Sequence, residues 1–104
     1  MTLQELNAIL KVTGYPVAYS HFDSPVKPPF ITYLVIGSQN LMADNKVYKK
    51  INNVNVELYT SKKDLEAEKV LEDILDENEI AYETTEQWID SEKLFEKIYE
   101  MELI

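Results

Sequence analysis

The chain of 104 residues contains no cysteine. Disulfides and thiolate metal sites are therefore excluded, and a reducing compartment is compatible with the composition. Arginine is also absent, so all ten basic residues are lysines. Without a guanidinium fork there is no bidentate grip on phosphate, carboxylate or guanine, and sequence-specific reading of nucleic acid is not expected. Only two glycines occur, Gly14 and Gly37, which rules out a P-loop or a dinucleotide-binding turn. His21 is the one histidine. It cannot build a multi-histidine metal site, and no nucleophile–base set accompanies it, so it reads as a surface or strand-end residue. No apolar stretch approaches the roughly 20 residues of a membrane helix. The N-terminus has no basic run leading into an apolar one, so no signal peptide and no membrane partner are expected.

What is present suits one globular unit spanning 1–104. The apolar content of 45% is that of a folded chain rather than a disordered one. A chain of this size buries roughly 65% of its unfolded surface, enough for one core without staples. The formal net charge is -9, and it is unevenly placed. Residues 1–60 hold five lysines against Glu5, Asp23, Asp44 and Glu57, whereas residues 61–104 hold five lysines against fifteen acids. An acidic half of this size repels nucleic acid and favours solubility.

Hydrophobic spacing and punctuation give the elements. Thr2 and Glu5 form a capping box ahead of Leu3, Leu6, Ile9 and Leu10, and Gly14 with Pro16 closes the segment, predicting a helix over 2–13. Val17 to Phe22 alternates loosely as a short strand. The prolines at 25, 28 and 29 require a loop over 23–29. Phe30 to Ile36 is rich in β-branched and aromatic residues and predicts a buried central strand. Gly37 to Asn45 reads as a polar connection carrying Leu41 and Met42, an arm to be ordered against a partner. Lys46 to Thr60 is a second long strand region whose apolar parity switches at Asn52-Asn53, implying a β-bulge there in preference to a hairpin turn. Ser61 to Asp64 opens a second helix with Ala67, Val70, Leu71, Ile74 and Leu75 as its apolar stripe. Asn78 is the expected left-handed residue at its end. Tyr82 to Ile89 fits a strand. Over Leu94 to Met101 the pattern suits a strand (Phe95, Tyr99, Met101) and a helix (Leu94, Ile98, Met101) equally.

The candidate sites are few. Asp76-Glu77-Asn78-Glu79 begins like a calcium loop, but Ile80 takes a ligand position and Ala81 replaces the required glycine. Close carboxylate pairs are expected by chance among nineteen acids and carry no weight. Lys46, Tyr48, Lys49 and Lys50 make a basic stretch with one interleaved aromatic. Such a stretch is a solvated strand face or half of a charged protein contact far more often than a nucleic-acid track. With Leu41 and Met42 it forms the candidate subunit or partner interface. No catalytic residue, metal ligand or cofactor site is identified, so no enzymatic activity is expected.

The segments Ala43 to Ile51, Val56 to Thr60 and Trp88 to Phe95 with Ile98-Tyr99-Glu100, together with the opening helix and Pro16 to Tyr19, resemble a family of small prophage proteins from low-GC bacteria. That family is similar to the tail-completion (tail terminator, or head–tail joining) proteins of long-tailed phages. The resemblance implies an α+β fold, a small antiparallel sheet of about four to five strands with two helices on one face, and so reads Leu94–Glu102 as a strand. It also implies a structural virion protein that assembles in the host cytoplasm as a hexameric ring. Its partners would be the tail tube and the head–tail connector proteins. An acidic wall lets DNA slide through the bore of such a ring instead of sticking. The competing reading is an acidic DNA mimic that inhibits a nucleic-acid-binding protein as a monomer or dimer.

Overall fold

The computed structural model describes residues 1–43 and 46–104, and the side chains of all of these except 41–43 and 46–49. The first helix, α1 (Leu3–Lys11), starts where the capping box places it. Glu5 N donates to Thr2 Oγ1 at 3.1 Å and Thr2 N to Glu5 Oε1 at 3.3 Å, so open donors of the first turn are satisfied reciprocally. The helix stops at Lys11 rather than residue 13, with Val12 as its cap and Gly14 at a φ of +83° that favours glycine. β1 (Val17–Tyr19) is shorter than the 17–22 alternation suggested, because Ser20 turns out of the strand at a φ of +67°.

β2 (Phe30–Ala43) and β3 (Lys46–Thr60) pair antiparallel along their whole length. The expected polar connection over Gly37–Asn45 is thus corrected as far as Ala43: it is strand. Ser38, Gln39 and Asn40 are exposed and have low strand propensity, but β3 offers them a complete ladder partner. The expected bulge exists but lies on the other strand. β3 continues without a break through Asn52-Asn53, and the extra residue is Ile36 of β2, between the pairs Val35–Val54 and Gly37–Asn53. A second shift falls between Leu41 and Met42, whose partners are Lys49 and Val47.

α2 (Leu65–Glu77) is capped by Asp64, whose side chain accepts from Ala67 N at 3.0 Å. Asn78 is not left-handed, with φ -93°; its side chain donates back to Ile74 O, and Glu79 takes the positive φ of 57°. β4 (Glu83–Ile89) and β5 (Leu94–Leu103) complete the chain, so the ambiguous segment is a strand.

The sheet has five strands in the order β1-β2-β3-β5-β4. It is mixed rather than wholly antiparallel, because β1 runs parallel to β2. The proline-bearing loop between them carries the chain back to the starting end of the sheet, which forbids a hairpin connection there. Both helices lie on one face. Leu6 and Leu10 of α1 and Ala67, Leu71 and Leu75 of α2 share a single core with Ile31, Tyr33, Val54, Val56, Leu58, Tyr99 and Met101. Phe30–Ile36 and Val54–Thr60 are neighbouring inner strands, and Val56 is wholly buried opposite Tyr33. No helix among the described residues is long and apolar enough to cross a membrane.

Candidate interaction surfaces

The register defines a projecting arm. β5 pairs with β3 only from Asn52 to Thr60, and β1 pairs with β2 only from Ile31 to Tyr33. Beyond those limits, from Ser38 to Ala43 and from Lys46 to Ile51, the two strands bond only to each other among the described residues. The molecule is accordingly elongated, with principal extents of 49 × 29 × 24 Å. At the root of the arm Gln39 Nε2 donates to Asn53 Oδ1 at 3.1 Å and to Glu102 Oε1 at 2.7 Å, fastening the ribbon to the body.

The candidate interface residues all fall on this arm. Lys50 stands opposite Asn40 and is exposed. Lys49 is opposite Leu41 and Lys46 opposite Ala43, with Met42 opposite Val47 and Tyr48 at the second register shift. The side chains of Leu41, Met42, Lys46, Tyr48 and Lys49 lie outside the described ones. The structure thus brings these residues together on one ribbon, whereas the sequence reading split them between a loop and a strand.

A groove of about 870 Å³ lies beside the arm root. Its lining includes Ile36, Ile80, Ala81 and Ile104 together with Glu79, Glu83, Glu100 and Glu102, and contains no lysine. Ile36 is 55% exposed because the bulge sets it out of alternation. Glu83 and Glu100 stand directly opposite each other across β4 and β5, a like-charge pair that disfavours the sheet locally.

The face of the sheet away from the helices carries a second feature that sequence reasoning missed. Phe30 stacks on Tyr59 with ring centroids 5.0 Å apart, and Phe22 from the preceding loop meets Phe30 edge-on at 5.5 Å. Next to this aromatic layer, Glu57 accepts from Thr32 Oγ1 at 3.3 Å and from Tyr59 Oη at 3.4 Å. Glu96, 3% exposed, accepts from Gln87 Nε2 at 2.6 Å. Burial, reinforced by the neighbouring Glu96 carboxylate, pushes the Glu57 carboxyl up to about 7. Burial acts on Glu96 in the same direction, but hydrogen bonds from Glu57, Gln87 and Tyr59 outweigh it and hold that carboxyl below the usual range. Of this pair of carboxyls, Glu57 is the one that holds its proton more tightly. No local pattern marks it, because the two glutamates meet only once β3 and β5 are paired.

On the helix face, Glu68 of α2 is buried between two lysines. Lys97 Nζ donates to Glu68 Oε1 at 2.9 Å, and Lys63 Nζ lies 2.8 Å from Glu68 Oε2. Tyr99 Oη donates to Glu72 Oε2 at 2.8 Å, and burial raises its phenol well above the ordinary range. These contacts clamp α2 to β5. Burial alone would raise the Glu68 carboxyl, but the two ammonium donors more than offset that and lower it. His21 is on the surface, as expected, 3.6 Å from Asp23. Among the described residues no group of three or more histidine or acidic side chains is placed to hold a metal. No known family profile matches the chain, and no curated protein sequence matches it.

Proposed function

We propose that the chain is a structural subunit of a phage neck or tail end, a tail-completion or head–tail joining protein acting by ring self-assembly. The resemblance described above supplies the specific reading, and the helix–strands–helix–strands order agrees with it. The observation that carries the reading is the arm. A two-stranded ribbon is marginal by itself in water, so a ribbon extending past its own core is best explained as a part made to pack on another surface. The net charge of -9 suits a ring through which DNA slides. In this reading the ring is a hexamer between the tail tube and the head–tail connector. The protein carries out no reaction, is assembled in the bacterial cytoplasm and ends in the virion.

Sedimentation across a concentration series, with and without purified tail-tube ends, tests the proposal. The expected result is a monomer at low concentration and ring-sized species at high concentration or on tube ends. A protein that never exceeds a dimer, even with tubes present, and that binds a nucleic-acid-binding protein tightly would be a DNA mimic instead.

A further inference from the structure

The geometry points to one occupant for the groove at the arm root: the β2–β3 arm of a second copy of this chain. The inference deepens the assembly reading and rests on it for the second copy alone. The groove has an apolar part and an acidic part. Ile36 and Ile104 are 55% and 54% exposed, and Glu79, Glu83, Glu100 and Glu102 supply four carboxylates. Among the described residues no lysine pairs with Glu79, Glu83 or Glu100. Among the described residues, then, no lysine serves the directly opposed Glu83 and Glu100, and the one cation in the groove lining, the Met1 ammonium, donates to Ile104 O.

The arm has the complementary composition. Lys46, Lys49 and Lys50 are set against the single acid Asp44, and the same ribbon carries Leu41, Met42, Val47 and Tyr48. Lysines reaching the Glu83–Glu100 pair would turn a local repulsion into attraction, while apolar arm residues would cover Ile36 and Ile104. β2 and β3 leave the root together and stay paired to Ala43 and Lys46, and of the two strands only Ile36, Asn53 and Val54 line the groove, so the ribbon extends past it. The six residues from Ile51 back to Lys46 span about 20 Å at the rise of an antiparallel strand. That reach is sufficient to cross to a neighbour.

The absence of cysteine makes a clean test possible. One full-length variant carries Asn40→Cys on the arm and another Ala81→Cys in the groove; both positions are exposed, so the core is untouched. Mixed at associating concentration and treated with a short bis-maleimide, the two should give mainly the mixed cross-link, with each variant alone giving much less. In parallel, Glu83→Lys with Glu100→Lys should weaken association at least tenfold, as should Lys49→Glu with Lys50→Glu. A chain carrying all four changes should regain most of it. Circular dichroism of each variant checks that the fold is intact. A closed dimer joined through the mixed cross-link would uphold the docking and overturn the ring. Rings that form without that cross-link, or whose assembly ignores the charge swap, would uphold the ring and overturn the docking. A chain that stays monomeric at every concentration and on tube ends would overturn both.

Discussion

Replacing Glu57 by glutamine isolates the raised carboxyl on the open face of the sheet. The folded Glu57 carboxyl titrates at about 7, against an ordinary 4.5. A group whose folded pKa is raised holds its proton more tightly in the folded state. Its stabilising contribution is complete below 4.5 and is lost as pH rises through about 7. The shift corresponds to about 3.4 kcal/mol at 1.36 kcal/mol per unit. Glu57 is only half-buried, so solvent screening reduces the realised figure to about 1–2 kcal/mol. Glutamine keeps the shape and the ability to donate to Glu96, but cannot ionise. Urea unfolding of both proteins from pH 4.5 to 8.5 should therefore give equal stabilities at the acid end. At pH 8 the Glu57→Gln variant should be more stable by about 1–2 kcal/mol, and its pH profile between 5 and 8 should be flatter. Glu57→Gln stability equal to or below that of the parent at pH 8 would refute the raised Glu57 carboxyl.

Other outcomes follow from the core, the clamp and the arm. Val56→Asp puts an unpaired charge at a wholly buried position and should cost several kcal/mol, leaving an unfolded or aggregated chain by circular dichroism. Normal thermal stability would mean that β3 is not the central strand. Lys97→Ala removes one of the two cations at Glu68, and should cost about 2–3 kcal/mol in chemical denaturation at neutral pH, below the full range for a broken buried pair because Lys63 remains. The loss should shrink in acid, since a lowered carboxyl contributes stability that disappears as pH falls through its folded pKa. In hydrogen exchange of the monomer, amides of Gln39, Asn40 and Lys50 should exchange far faster than those of Val54 to Leu58, and should slow on assembly. Equal protection in the monomer would show that the arm needs no partner.

Features that depend on neighbours in the chain were legible in the sequence, and those that depend on neighbours in space were not. The capping box of Thr2 and Glu5 and the apolar stripe of α2 are local; α1 lies within two residues of expectation, whereas α2 starts only at Leu65, with Asp64 rather than Ser61 as its cap. β5 is a strand because Tyr99, Met101 and Leu103 alternate into the core, but Leu94, Ile98 and Met101 mimic a helical stripe, and the resemblance decided between them. The arm stayed hidden because alternation reports a half-buried strand. Residues 36–40 are exposed and leave no apolar period to read. The parity switch at Asn52-Asn53 was real, but a bulge belongs to a pair of strands, and the inserted residue turned out to be Ile36 across the ladder. Of the candidate interface residues, Lys50 is exposed as expected, and the register shows that Leu41 lies opposite Lys49.

The self-contained pairing of the arm has an evolutionary consequence. Beyond its root no described arm residue enters the ladder of another strand, so the ribbon can lengthen or shorten without disturbing the registers that build the core. Two residues added to each strand extend its span by about 7 Å and restore the original facing of every side chain. Related chains of this design can therefore differ in reach while sharing one body, with paired insertions in the two arm strands acting as a length adjustment that leaves folding alone.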